Sequence, residues 1–183
     1  MNRICFVALA LTILLPTCAS GQDSFFPYKM PKEKPAIPLS AAMERAYDAF
    51  SSEGRVFEEM DHLVGALADL RQRTSADDWN AFCRVDCVGH PVRFLVHQDP
   101  LTERAYFKPR GYPGDAVLLD MFYGEEGVKP YVDEATPLGQ EIYRYTSAGM
   151  AATALRRRKE VLATMIDRVS DSNAEPHIMT IGC

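Results

Sequence analysis

Long hydrophobic runs are missing from this 183-residue chain: its most apolar stretch, Ile4 to Leu15, covers about a dozen residues. A helix needs roughly 20 to cross a bilayer, so no stable membrane span is expected. Charge of one sign is equally scarce, with 20 Lys+Arg against 25 Asp+Glu and a formal net charge of −5. Affinity for a phosphate backbone comes from a cationic excess, so nucleic acid is not an expected partner. Hydrophobic residues make up 47% and charged residues 25%, which fits neither a collagen-like repeat nor a charge-rich disordered chain. What is left is globular protein, and the length suits one domain with an appendage.

Cysteine is also sparse, at five. Arg3, the apolar run and the small residues around Cys18, Ala19, Ser20 and Gly21 have the anatomy of a secretory signal peptide, which gives residues 1–20 as a leader. Cleavage after Ala19 or Ser20 would remove Cys5 and Cys18 and leave Cys83, Cys87 and Cys183. An odd remainder is no disulfide framework and leans towards a reducing compartment. The two signals conflict. A genuine leader means a secreted or periplasmic protein, and a misassigned start codon means a cytoplasmic one. Pro27, Pro31, Pro35 and Pro38 then alternate with Lys29, Lys32 and Lys34, a spacing that blocks helix and sheet and marks residues 21–38 as an extended linker.

From Leu39 the chain turns helical. Ser40 is placed to cap a helix carrying Met43, Ala46, Tyr47 and Phe50 at three- and four-residue steps. Val56, Met60, Leu63, Val64, Leu67 and Leu70 repeat that period up to Arg73, which predicts a second helix after a break near Gly54. A third should start at Ser75-Ala76-Asp77-Asp78 and carry Trp79, Phe82 and Cys83. Cys83, Cys87 and His90 have a spacing that invites zinc, but a structural site needs four ligands and no second cysteine pair follows. Two small residues packed on one helix face is the plainer reading, and no metal is expected.

The centre of the chain has a different character. In Phe107-Lys108-Pro109-Arg110-Gly111-Tyr112-Pro113-Gly114-Asp115, prolines fix φ while glycines allow positive φ, so a loop can hold one shape and still present charge. Arg110 offers a planar fork for a carboxylate or phosphate, and Tyr112 a stacking face and a hydroxyl. A plain surface turn with Arg110 and Asp115 paired to each other would explain the same residues. Further on, Ala151 to Val169 reads as a long amphipathic helix with the basic run Arg156-Arg157-Arg158-Lys159 on a solvated face. His177-Ile178-Met179-Thr180-Ile181-Gly182-Cys183 reads as a β-strand opening into a glycine turn.

Taken together, His97-Gln98-Asp99-Pro100, the Lys108 to Asp115 loop, Leu118-Leu119-Asp120, Tyr123 and the Gly139 to Thr146 segment resemble a bacterial branch of the class I S-adenosylmethionine-dependent methyltransferases. The resemblance runs from about Asp78 to Cys183 and is specific in the loop. It implies a mainly α fold: residues 39–175 form the helical N-terminal region of a class I methyltransferase. Residues 176–183 are then the first strand of a Rossmann-like α/β domain absent from the chain. It also implies Arg110, Tyr112 and Gly182 as cofactor-binding residues, and Lys108, Asp115, Arg144 and Tyr145 as residues facing a small-molecule or lipid-like methyl acceptor. No catalytic residue is assigned.

S-adenosylmethionine is the cofactor expected of a complete family member, not of this fragment, because one strand without neighbours cannot build the sheet that holds it. The expected function is therefore that of an N-terminal fragment, inactive alone. The alternative is an exported helical binding module without catalysis.

Overall fold

The computed structural model describes residues 39–52, 55–112, 114–173 and 175–179. The leader and linker assigned from sequence lie outside them, as do residues 180–183 with Gly182. The fold is mainly α-helical: α1 (Leu39–Ser51), α2 (Val56–Arg73), α3 (Ala76–Phe82), a π-turn (Cys83–Cys87), α4 (Val92–Val96), α5 (Pro100–Phe107), α6 (Ala116–Tyr123), a 3-10 turn (Glu126–Val128), α7 (Lys129–Asp133), α8 (Pro137–Ala148) and α9 (Met150–Ser172). No strand occurs among the described residues. Residues 176–179, expected to begin one, carry no regular structure, and a strand needs a neighbour to complete its ladder.

Local chemistry explains where the helices stop and start. Serine at position 75 caps α3 by accepting from Asp78 N at 3.1 Å, and its hydroxyl donates to Asp78 Oδ2 at 2.7 Å. Asp99 caps α5 with Pro100 behind it, Asp115 caps α6, and Thr136 caps α8 ahead of Pro137. Each side chain satisfies an amide that the helix itself cannot, and proline is tolerated in a first turn because its missing N–H would be unbonded anyway. Ser40 is not a cap. Helix α1 begins one residue earlier, at Leu39. Gly124, at φ 71°, ends α6 in the left-handed conformation that glycine adopts without strain.

Two apolar clusters form the interior. In the first, α1 and α2 pack as an antiparallel pair that buries Met43, Ala46, Phe50, Met60, Leu63 and Leu67, joined by Trp79 of α3, Val92 and Val96 of α4, and Ile142 of α8. The second comprises Leu101 and Ala105 of α5, Leu118, Met121 and Phe122 of α6, Val128, and Ala152 of α9. Helix α8 serves both, since Ile142 belongs to the first while its neighbour Tyr143 packs on the second. Tyr143 also donates its hydroxyl to Met121 O at 2.7 Å.

Gly139 permits α8 to come this close. A Cβ there would stand 2.1 Å from Gln98 O and 2.7 Å from Gln98 C, inside backbone that cannot yield as a side chain can.

The cysteine spacing has a packing cause. Cys83 and Cys87 are buried in the first cluster at the two ends of the π-turn. His90 faces elsewhere: its Nδ1 accepts from Val92 N at 3.1 Å and its Nε2 lies 3.4 Å from Glu44 Oε1. Among the described residues, the His/Cys/Asp/Glu group close enough to share an ion is Glu58, Glu59 and His62, which includes no cysteine.

Candidate functional site

The Lys108–Asp115 loop is held at both ends. At its start, Lys108 leaves α5 in the left-handed region (φ 51°, ψ 60°), with its N–H donating to Arg104 O at 3.0 Å and its carbonyl accepting from Gly111 N at 2.7 Å. A lysine in that region is strained, because its Cβ crowds the following carbonyl. Gly111, at φ 87°, carries the reversal without that cost. At the far end Asp115 is 1% exposed and accepts from Leu118 N at 2.9 Å.

The principal partner of Asp115 is Arg104, on the last turn of α5. Its Nε reaches Oδ1 at 2.8 Å and its Nη2 reaches Oδ2 at 2.5 Å, a two-pronged pair across the base of the loop. Arg110, expected to pair with Asp115, has its Nε 3.9 Å from Oδ2 and is 55% exposed at its side chain. The Arg104 hydrogen bonds hold the Asp115 carboxyl below its usual range, against burial, and Asp115 in turn raises Arg104. With the carboxylate satisfied from beneath, the Arg110 guanidinium keeps most of its hydrogen-bonding capacity towards solvent. Tyr112, at 52% exposure, stands beside it on the same loop.

Arg104 escapes a reading confined to the loop because it sits inside α5. The available signal was a basic residue one turn before the helix end, together with Asp115 in the cap position ahead of Ala116-Val117-Leu118-Leu119.

Other expected site residues go elsewhere. Tyr145 turns to α2, donating to Asp61 Oδ1 at 2.7 Å and packing edge-on against Phe57 at 5.6 Å between ring centroids. Arg144 is exposed on α8, with no hydrogen bond or ion pair to the loop among the described residues. Asp115 is buried at the end of the loop, with its carboxylate taken up by Arg104 and Leu118 N. Lys108, Arg110 and Tyr112 thus share one loop, while Arg144 and Tyr145 lie on α8.

At the other end of α5 lies a second buried carboxylate. Asp99 accepts from Leu101 N, Thr102 N, Thr102 Oγ1 and Thr146 Oγ1 at 3.0, 3.2, 2.5 and 3.0 Å, tying the start of α5 to α8. Burial pushes its carboxyl up to about 6 despite those bonds, which pull the other way. Burial, with Arg93 nearby, drives the His97 imidazole down to about 4. His97 packs at a tilt against Tyr106, 4.6 Å between ring centroids, and lies 5.9 Å from Phe107, the residue before Lys108.

In the basic run of α9, Arg157, Arg158 and Lys159 are exposed and Arg156 is half-buried. Arg156 donates to Phe122 O and Ser147 O at 2.8 and 2.9 Å, closing the carbonyl ends of α6 and α8. Arg158 donates to Tyr123 Oη at 3.2 Å, and Lys159 pairs with Glu125 at 2.5 Å. A cleft of about 340 Å³ between α1 and the π-turn, lined by Met43, Glu44, Phe82, Val85, Asp86 and His90 among others, includes none of the loop residues.

No protein-family model matches the chain, and comparison with curated proteins and with solved structures finds no match either. No helix among the described residues is long and apolar enough to cross a membrane.

Proposed function

We propose that this chain is the helical N-terminal region of an S-adenosylmethionine-dependent methyltransferase-like protein, inactive alone. In the complete protein its Lys108–Asp115 loop covers the cofactor or acceptor pocket. The observation that carries this reading is the Arg104–Asp115 pair, which fixes the base of the loop while Arg110 and Tyr112 remain exposed on it. Methyl transfer from a sulfonium needs positioning more than acid or base help, since the donor is already activated. Arg110 suits a carboxylate, either the methionine end of the cofactor or an acidic, small-molecule or lipid-like acceptor. Tyr112 suits the sulfonium or a flat ring. Lys108 adds a second cation at the loop's start.

The experiment has two parts. Calorimetric titration of the chain with S-adenosylmethionine is expected to show no saturable binding, and micromolar binding would overturn the claim that it is inactive alone. The nucleotide sequence beyond the Cys183 codon is expected to continue into a glycine turn and α/β alternation, in frame or after one frameshift. A stop with no such pattern would favour an exported helical binding module, the reading that the unpaired apolar face of α9 also suits.

A further inference from the structure

The cleft of about 340 Å³ between α1 and the π-turn is separate from the Lys108–Asp115 loop, and its size falls within the range of about 300–1,000 Å³ usual for small-molecule sites. Its lining is mixed. Met43 and Phe82 supply apolar surface, and Val85, 69% exposed, extends that surface to the rim. The charges are of one sign only. Glu44 of α1 and Asp86 of the π-turn line the cleft, while no lysine or arginine does, and neither carboxylate is paired with one among the described residues. A π-turn is an uncommon element found often at functional sites, and this one contributes both Val85 and Asp86.

His90 backs one of the two acids. Its amide donates to Asp86 O at 3.0 Å and its ring Nδ1 accepts from Val92 N at 3.1 Å, so the imidazole is held from both sides. With Nδ1 accepting, the neutral ring carries its proton on Nε2. That N–H is buried and makes no hydrogen bond, yet it lies 3.4 Å from Glu44 Oε1. A small turn of the exposed Glu44 side chain completes the bond to Oε1 and leaves Oε2 open to the cleft.

We infer that this cleft binds a small organic ammonium ion, a protonated amine carried on an apolar body. Two carboxylates with no cation beside them repel anionic ligands and attract a positive one. Met43, Phe82 and Val85 then meet the body while Glu44 and Asp86 meet the head. A metal ion fits less well, because Glu44, Asp86 and His90 do not come close enough together to share one. His90 acts through Glu44, as a positioning residue.

The test is a titration of the full chain with 2-phenylethylamine, followed by NMR through the Met43 methyl and the amide of Gly89, which also lines the cleft. The control is 3-phenylpropionate, with a negative head on the same body. The amine should shift both signals saturably, with affinity falling as salt rises, and the acid should not. Glu44→Gln with Asp86→Asn should weaken binding about fivefold, the worth of two exposed charge pairs, with the thermal midpoint unchanged because both side chains are exposed. His90→Asn keeps an acceptor near Val92 N and removes the Nε2–H. It should weaken binding about twofold in the native chain and not at all in the Glu44→Gln background.

No saturable shift, an equal response to 3-phenylpropionate, or undiminished binding by the Glu44→Gln/Asp86→Asn variant would overturn the inference. So would saturation of the same signals by magnesium chloride alone, which would assign the cleft to a metal ion. Equal losses from His90→Asn in both backgrounds would overturn its role in positioning Glu44.

Discussion

Replacing Arg104 with Met keeps much of its aliphatic bulk and removes both hydrogen bonds to Asp115, at 2.8 and 2.5 Å. The carboxylate is 1% exposed and cannot turn to water. Breaking a buried pair from one side costs about 3–5 kcal/mol, because the remaining charge is stranded. Two features soften that here: Asp115 keeps the Leu118 N–H and the positive end of α6, and the Arg110 guanidinium stands 3.9 Å away with freedom to move in. The expected loss is therefore about 3 kcal/mol, in the lower part of that range.

At a urea dependence of about 2 kcal/mol per molar, the midpoint should fall by about 1.5 M. A double-mutant cycle with Asp115→Asn should return a coupling of about 2 kcal/mol. The pH profile supplies an independent readout. Asp115 has a folded pKa below its unfolded value, so its stabilisation is present above the unfolded value near 4 and is lost as pH falls towards the folded one. Arg104→Met should flatten that acid limb. A midpoint shift under about 0.5 M with an unchanged acid limb would refute the claim that Arg104 holds the base of the loop.

Other consequences follow from the packing. Gly139→Ala forces a Cβ to 2.1 Å from Gln98 O, and relieving it by moving α8 should cost about 3 kcal/mol by thermal or urea denaturation, where a cost under about 0.5 would show that α8 shifts freely. Asp99 and His97 should oppose each other in acid. The raised Asp99 pKa adds stability as pH falls from about 6, whereas the lowered His97 pKa removes stability as pH falls from 6.5 towards about 4. Asp99→Asn should therefore steepen the loss of stability between pH 6.5 and 4, and His97→Gln should reverse its sign, as read from urea midpoints at successive pH values. Lys108→Gly removes a strained left-handed lysine and should raise stability by about 0.5–1 kcal/mol if the loop keeps its shape, with a fall in the urea midpoint counting against that conformation.

Much of the helical layout was legible because it rests on local chemistry. The break before Val56, the Ser75 start and the long final helix all follow from spacing and caps that need no distant partner. The loop was legible for the same reason, since Lys108 to Asp115 is unusual in its own composition. What failed was the assignment of partners. Asp115 pairs with Arg104 across 11 positions, and Tyr145 pairs with Asp61 across 84. Neither distance leaves a periodic trace. Within the exposed basic run of α9, Arg156 alone departs, because whether it faces water or caps the ends of α6 and α8 depends on how those helices are set against it.

By itself, then, the sequence determined a mainly α-helical chain and a charged, proline- and glycine-bearing loop at residues 108–115, because periodicity, caps, proline and glycine act over a few residues. Tertiary structure decided which of that loop's charges is spent inside the protein and which is presented. Arg104 reaches the loop's base from the last turn of α5 and occupies the Asp115 carboxylate, and Arg110 is left facing solvent. That difference depends on where two helix ends meet in space, and no local pattern encodes it.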